Sequence, residues 1–159
     1  MAGVDIREAR SPAELEHALA IRCAVFVAEQ GVALALEIDG RDETARHLLA
    51  LRRGEPVGTL RLRWLDGGRT AKIERVAVLA AARGQKVGQA LMRAALELAT
   101  AEGAEHVALH AQTTVQAFYA GLGFVACGPE FVEDGILHVA MRRMLSGGAR
   151  QELRQAWPS

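Results

Sequence analysis

The chain is poor in several residue types that mark common classes of protein. Among its 159 residues are two cysteines, four prolines and one tyrosine, and aromatic side chains make up 4%. Lysine plus arginine and aspartate plus glutamate number 19 each, so the formal net charge is zero. Proteins that coat nucleic acid or anionic membranes carry a strong excess of positive charge. Neither partner is therefore expected, although Arg61, Arg63 and Arg75 allow a local basic patch.

Membrane, secreted and metal-binding classes are also disfavoured. No N-terminal apolar run resembles a signal peptide, and no stretch approaches the roughly 20 apolar residues of a membrane span. Cys23 and Cys127 lack both metal-ligand spacing and a Cys-x-x-Cys partner. They are expected to be two small, reduced core residues. These absences predict a cytoplasmic protein without a metal site.

The apolar content and the element pattern predict one domain of the α+β class. Half of the residues are apolar, and a chain of this length can bury a core of ordinary size. We predict a single domain over residues 1–145 and a polar, Gly-interrupted tail over residues 146–159. The expected architecture is a mixed, mostly antiparallel sheet flanked by helices.

Local signals define several elements of this domain. Ser11, Pro12 and Glu14 form a capping box with proline at the first helical position, so a helix is expected to begin there. His47 to Arg53 and Pro56 to Leu65 read as an antiparallel pair. A loop with turns is expected from Gln30 to Ala45. The last strands are expected at Phe124 to Gly128 and Leu137 to Met141, joined through Glu133-Asp134-Gly135.

The strand from Thr70 to Leu79 has an irregular apolar pattern. Ile73 is apolar at an odd position, whereas Val76 and Val78 are at even positions. A strict period of two cannot place all three on one face. A β-bulge near Glu74-Arg75 would shift the phase, and such bulges re-aim groups at active sites.

A glycine-containing loop follows this strand and precedes a segment with helical spacing. A helix N-terminus with exposed backbone N–H groups favours an anion, so a diphosphate is the expected ligand. A nucleoside-triphosphate loop needs a Lys-Ser/Thr pair after its second glycine, but Gly88 is followed by Gln89-Ala90. A dinucleotide-binding loop needs the spacing Gly-x-Gly-x-x-Gly, which Gly84 to Gly88 does not supply. The alternative to an anion-binding loop is an ordinary helix N-terminus that happens to contain glycine.

This loop resembles motif A of the GNAT superfamily, the acyl-CoA-dependent N-acyltransferases. We prefer the frame that begins at Arg83, in which Lys86 replaces the usual glycine and Gly88 matches; a frame from Gln85 matches Gly88 and Ala90. The resemblance implies an acyl-CoA cofactor, with acetyl-CoA favoured. It also implies a bulged central strand whose backbone binds the pantetheine.

A second segment, from Gln112 to Phe124, is similar to the other hallmark of the family, a short helix ending in Phe-Tyr-x-x-Leu-Gly-Phe. The resemblance implies that Tyr119 is the general acid that protonates the departing thiolate; the alternative is a packing tyrosine. Gln112 stands where the family has asparagine. The residues assigned to the cofactor are Val76, Ala77, Val78, Arg83, Gly84, Gln85, Lys86, Val87, Gly88, Gln89, Gln112 and Phe118.

Two further segments resemble the ElaA-type subgroup of this superfamily. The first runs from Arg22 to Gln30 and continues with Glu37-Ile-Asp39-Gly40 and His47; the second runs from Glu133 to Met141. With them the resemblance extends to about Leu145. The loop that carries Glu29 and Asp39 walls the acceptor site in this family. Glu29 and Asp39 are therefore candidate acceptor-binding residues, and simple solvation is their alternative. His47, at the start of a strand, is a third candidate for acceptor binding and a weaker candidate for the base than Glu74 or His138.

Acyl transfer to an amine also requires a base, because a lysine-like amine has a pKa of about 10.4. Glu74, beside the expected bulge, is the first candidate, and a salt bridge to Arg75 or to a neighbouring strand is its alternative. His138 is the second, and a satisfied core histidine is its alternative.

These inferences predict an enzyme of the GNAT type. It would transfer an acyl group, with acetyl favoured, from acyl-CoA to a primary amine of a small molecule or peptide by direct attack in a ternary complex. A non-catalytic acyl-CoA-binding regulatory module on the same fold is the alternative. Assembly as a homodimer is left open.

Overall fold

The structure of the chain is a computed structural model that describes residues 3–145. The predicted tail over residues 146–159 lies outside the described residues. The described chain forms two compact units. The first contains residues 3–63 and 73–95, and the second contains residues 64–72 and 96–145. The single domain over residues 1–145 stays a prediction.

The first unit begins with a strand and a long helix. The elements are β1 (Asp5–Glu8), α1 (Pro12–Arg22), a π-helical turn (Cys23–Glu29), α2 (Leu34–Glu37), β2 (Arg46–Arg52), β3 (Glu55–Leu65), β4 (Thr70–Val78) and α3 (Val87–Ala101). The short helix α2 lies in the stretch that was expected to be a loop. The ends of β3, β4 and α3 belong to the second unit.

The predicted start of α1 is confirmed. The Glu14 backbone N–H donates to Ser11 Oγ at 3.1 Å, and the Ser11 N–H donates to Glu14 Oε1 at 3.1 Å. Pro12 occupies the first helical turn. These bonds satisfy donors that would otherwise have no partner at a helix N-terminus.

The strands of the first unit follow the order β1-β2-β3-β4. β1 pairs with β2 and β2 with β3, both antiparallel. In the second pairing His47 lies opposite Arg61 and Leu49 opposite Thr59. The predicted antiparallel pair is therefore confirmed.

The predicted bulge lies at Arg75. Leu49 and Ala77 pack in the same apolar cluster, and Thr59 and Arg61 share the face of Leu49 because residues two apart on a strand share a face. The Glu74 carboxylate contacts Arg61, so Glu74 lies on this face together with Ala77. In a regular strand two residues three positions apart would lie on opposite faces. Arg75 has a φ of +56°, and this left-handed residue supplies the required change of phase.

A close approach joins β3 to α3. A Cβ atom at Gly58 would lie 2.9 Å from Val87 Cγ1, 3.1 Å from Leu91 Cδ1 and 3.2 Å from the Ala77 carbonyl oxygen. Val87 and Leu91 are buried on α3 as the helical spacing predicts. Only a residue without a side chain allows this packing.

The second unit contains four strands, an α-helix and a short 3-10 helix (Thr113–Val115) that follow α3. The strands and the α-helix are β5 (His106–Gln112), α4 (Gln116–Gly121), β6 (Val125–Ala126), β7 (Phe131–Glu133) and β8 (Ile136–Met144). β8 is antiparallel to β5, β6 and β7. The sequence interpretation placed no strand between Gly128 and Leu137, whereas β7 is a strand that pairs with β8. Asp134 (φ +54°) and Gly135 (φ +76°) form the two-residue turn between them, as an Asp-Gly pair favours.

The cysteines and the lengths of the helices bear on two further expectations. Cys23 and Cys127 are both free, but Cys127 is exposed and so is not a core residue. The prediction was wrong for Cys127 because it directly follows the short strand β6, in which both side chains are exposed. No helix within residues 3–145 is long and apolar enough to cross a membrane.

Candidate active site

The anion loop, defined as residues 83–89, ends in the first turn of α3. Gly84, Gln85, Lys86 and Gln89 are exposed, whereas Val87 is buried and can offer only backbone. Lys86 has a φ of +65°. This conformation costs a residue with a side chain about 1–2 kcal/mol, which explains physically why glycine suits the position. The exposed helix start and the cations of Arg83 and Lys86 fit a diphosphate.

Arg83 links the anion loop to Glu29. Its Nη2 lies 2.5 Å from Glu29 Oε1, and its Nε donates to the Val78 carbonyl oxygen at 2.9 Å. The two side chains are 47% and 38% exposed. The structure therefore brings one predicted acceptor residue into contact with one predicted cofactor residue.

An arginine network lies beside the bulge of β4. It is defined as the guanidinium groups of Arg22, Arg61, Arg63 and Arg75 with the carboxylates of Glu37, Asp39, Asp42 and Glu74. Arg22 and Arg61 are completely buried, and Glu37 is 2% exposed. Paired charges of opposite sign make this burial tolerable, since an isolated buried charge is very costly.

Arg61 is the centre of the network. Its Nη1 and Nη2 donate to Asp39 Oδ1 and Oδ2 at 2.9 and 2.8 Å, a bidentate pair, and Nη1 also reaches Asp42 Oδ1 at 3.0 Å. Hydrogen bonds from Arg61 hold the pKa of Asp39 well below its usual range. Burial alone would raise the pKa of Asp42, but the bonds and charges of Arg22 and Arg61 outweigh burial and lower it. Asp39, a predicted acceptor residue, is thus engaged by Arg61.

Glu74 is paired with the neighbouring strand β3. Arg63 Nε donates to Glu74 Oε1 at 2.7 Å and Arg63 Nη2 to Oε2 at 3.2 Å, while Arg61 Nη2 lies 2.9 Å from Oε1. The contacts are those of the salt-bridge alternative, with partners on β3. Arg75 instead points to the α2 segment, where its Nε lies 3.0 Å from Glu37 Oε1 without hydrogen-bond geometry.

His47 borders the network. Its ring is buried, and Nε2 donates to the Asp42 carbonyl oxygen at 2.9 Å. Its Nδ1 is buried without a hydrogen-bond partner among the described residues. The structure thus places His47 next to the predicted acceptor loop and away from solvent.

Tyr119 is a buried phenol in α4. Its side chain packs edge-on against Phe118 and Phe124, with ring centroids 5.0 and 6.1 Å away. Burial raises the pKa of Tyr119 to about 12, so the phenol stays protonated near neutral pH. The helix ends as predicted: Gly123 has a φ of +92°, and the Phe124 N–H donates to the Tyr119 carbonyl oxygen at 3.1 Å.

His138 belongs to a histidine cluster, defined as His110, Glu133 and His138. The ring of His138 is buried, and its Nδ1 lies 2.7 Å from the Ile136 carbonyl oxygen. His138 lies opposite Gln112 of β5, so the candidate base and a predicted cofactor residue share one sheet face.

The sequence interpretation missed several of these residues. Arg22, Glu37, Asp42 and Arg61 of the network and His110 and Glu133 of the cluster were not identified as site residues. Arg61 alternates with Leu60 and Leu62, which favours a polar, exposed face. Its partners are 13 or more positions away, so no local spacing could identify them. Within residues 3–145, no group of three or more His, Cys, Asp or Glu side chains could hold a metal.

Comparison with known proteins identifies the family. Residues 12–145 match the family model for the acetyltransferase (GNAT) domain. Protein ElaA of Escherichia coli (strain K12) is 41% identical over 137 residues, which cover 84% of this chain and 89% of ElaA. YyaT of Bacillus subtilis (strain 168) is 37% identical over 146 residues, covering 90% of this chain and 97% of YyaT.

Solved structures agree with these matches. The crystal structure of Escherichia coli ElaA has a TM-score of 0.77 at 36% identity and covers 90% of this chain and 99% of that one. The structure of an acyl-CoA N-acyltransferase from Pseudomonas aeruginosa has a TM-score of 0.75 at 36% identity, covering 89% of this chain and 99% of that one.

These matches establish the class of protein: the chain is an acyltransferase enzyme that uses an acyl-CoA donor. The chain belongs to the GNAT acetyltransferase family, and its likeness to ElaA supports the ElaA-type subgroup. The predicted resemblance and the predicted α+β fold, a mostly antiparallel sheet with helices, are confirmed.

Proposed function

We propose that this enzyme transfers an acetyl group from acetyl-CoA to a primary amine of a small molecule or peptide. The amine would attack directly in a ternary complex, without a covalent enzyme intermediate. When bound, acetyl-CoA supplies an activated thioester. A homodimer stays a prediction.

The burial of the Tyr119 phenol is the observation that supports this proposal most directly. A buried phenol whose pKa is raised to about 12 keeps its proton at neutral pH and can donate it to a leaving thiolate. It is the single tyrosine of the chain, and it occupies the position that the family motif reserves for this role. Tyr119 would therefore act as general acid.

The anion loop would hold the donor. Arg83 and Lys86 would supply charge to the diphosphate, and the backbone of Gly84 to Gln89 would supply N–H groups. Val76 to Val78 would offer strand backbone to the pantetheine, with Gln112 and Phe118 as further contacts. This assignment rests on the exposed helix start and on the family motif.

A base must take a proton from the amine. We favour His138 over Glu74, because two guanidinium groups already engage the Glu74 carboxylate. Among the acceptor residues we favour Glu29, which is exposed, over Asp39, which holds Arg61. His47 would support the acceptor loop through Asp42.

A panel of primary amines with acetyl-CoA, followed by release of free CoA, tests the proposal. With an amine that is acetylated, Tyr119→Phe should lower kcat by about 10²–10⁴-fold. The rise in melting temperature with CoA should persist, because the phenol oxygen is not needed to bind the donor.

Two results would contradict this function. An unchanged kcat in Tyr119→Phe, with chemistry rate-limiting, would return Tyr119 to a packing role. Stabilisation by acetyl-CoA without acetylation of any amine in a broad panel would argue against amine transfer and leave acyl-CoA binding in place.

A further inference from the structure

Glu133 lies between two imidazole rings in the second unit. His110 Nδ1 lies 3.0 Å from Glu133 Oε1, and His138 Nε2 lies 4.0 Å from Glu133 Oε2. An ionised carboxylate only accepts hydrogen bonds, so His110 Nδ1 is the donor in the shorter contact. One carboxylate oxygen is therefore held by His110 while the other faces His138.

The tautomer of His138 follows from its second contact. Nδ1 lies 2.7 Å from the Ile136 carbonyl oxygen, and a carbonyl oxygen can only accept. Nδ1 therefore carries the hydrogen, and the lone pair of the neutral ring is on Nε2. The basic nitrogen is the one that faces Glu133.

The rings and strands around this arrangement restrict its movement. Phe131 stacks on His138 at a centroid distance of 6.0 Å and meets His110 edge-on at 5.0 Å. Phe131 lies opposite His138 across the β7–β8 pair, whose register is set by the two-residue turn at Asp134. Two titratable groups within residues 3–145 lie beside His138 on this face: Glu133 from β7 and, beyond its carboxylate, His110 from β5.

We propose that Glu133 is a positioning residue that stabilises the protonated form of His138 during acyl transfer, with His110 holding the carboxylate in place. This inference rests on the proposed function, in which His138 is the base. The ammonium form of the amine first gives one proton to Nε2, and the neutral amine then forms the carbon–nitrogen bond. As the carbon–sulfur bond breaks, the sulfur takes the Tyr119 proton, and the second proton of the former ammonium nitrogen returns to the Tyr119 phenolate. His138 then releases its proton to water.

The test uses Glu133→Gln, which keeps an acceptor for His110 but removes the negative charge. Its matched control is Glu130→Gln, which removes the same charge from an exposed position nearby. kcat is measured against pH with acetyl-CoA and an acetylated amine both saturating, so that the profile reports groups in the bound complex. The NMR titration of the His138 ring is followed in the same variants, and it needs no turnover.

Glu133→Gln should lower kcat about two- to fivefold near neutral pH, since a partly exposed charge pair at this distance is screened. KM for acetyl-CoA should change by less than about twofold. The acid limb of the kcat profile and the His138 titration curve should both move to lower pH, because an imidazolium without its counter-ion loses its proton more readily. Glu133→Asp should recover part of the rate, and Glu130→Gln should behave as wild type.

An acid limb and a His138 titration curve that stay in place in Glu133→Gln would overturn the inference, even if the variant were less stable. A wild-type acid limb in His138→Asn would overturn it as well, while Tyr119-dependent acetylation would keep the proposed function. Failure of the proposed function itself appears separately, as an absence of acetylation in the amine panel. In that case a His138 curve that does not move in Glu133→Gln still refutes the pairing.

Discussion

The arginine network and the histidine cluster use carboxylates in opposite ways. In the network, Arg61 holds Asp39 and Asp42 with bidentate and shared bonds, and guanidinium groups keep their charge at every pH where the protein is folded. In the histidine cluster, Glu133 faces the imidazoles of His110 and His138, and imidazole is the side chain that most often acts as a general acid or base. The first arrangement has a fixed charge and suits architecture, whereas the second can exchange a proton and suits chemistry.

The largest expected effect comes from breaking the network at its centre. Arg61→Met should lower the free energy of unfolding by about 3–5 kcal/mol, because it leaves Asp39, Asp42 and Glu74 without their shared partner. Denaturant unfolding measures it. Arg69→Met is the control, since Arg69 forms an exposed pair with Glu105 at 3.3 Å and should cost at most about 1 kcal/mol. Equal losses in the two variants would show that the network adds nothing to stability.

The pH dependence of that loss separates the network from the histidine cluster. The pKa values of Asp39 and Asp42 are lowered in the folded protein, so their contribution is present above the unfolded pKa of about 4 and is lost as the pH falls below it. The difference in unfolding free energy between wild type and Arg61→Met should therefore be constant from about pH 5 to 8 and shrink below about pH 4. A change near pH 6 would instead implicate a histidine in the network.

The smallest expected effect concerns the exposed pair of Glu29 and Arg83. Glu29→Gln should release Arg83 for the diphosphate and tighten CoA binding by up to about fivefold, since exposed pairs are worth at most about 1 kcal/mol. Calorimetric titration with CoA measures it. Glu16→Gln removes a charge from an exposed position on α1 and controls for the effect on CoA binding of removing any one negative charge from the surface. Weaker binding in Glu29→Gln, or the same change in both variants, would contradict the prediction.

Local chemistry in the sequence was sufficient for several elements. The start of α1 follows from Ser11 and Glu14, three positions apart, and the end of α4 follows from Gly123, so each signal lies within one helical turn of the structure it predicts. The bulge at Arg75 was predictable because an interrupted period of two can be seen within six residues. The GNAT fold followed from motifs of the same short range.

Burial of charge was not predictable in the same way. Arg61 reads as an exposed residue in an alternating strand, yet it is fully buried by carboxylates 13, 19 and 22 positions away. β7 was missed for a related reason, because three residues carry no period and only the pairing with β8 makes them a strand. The contact of Glu133 with His110, 23 positions apart, likewise depends on strand pairing.

Gly58 limits how this sequence can diverge. A methyl group at position 58 would displace Val87, and Val87 stands between Lys86 and Gly88, so a change in packing would become a change in the ligand site. Substitutions at position 58 should therefore be rejected in functional copies even when neighbouring residues drift. A smaller residue at position 87 would relieve only one of the three close contacts, because Leu91 and the Ala77 carbonyl oxygen remain beside position 58.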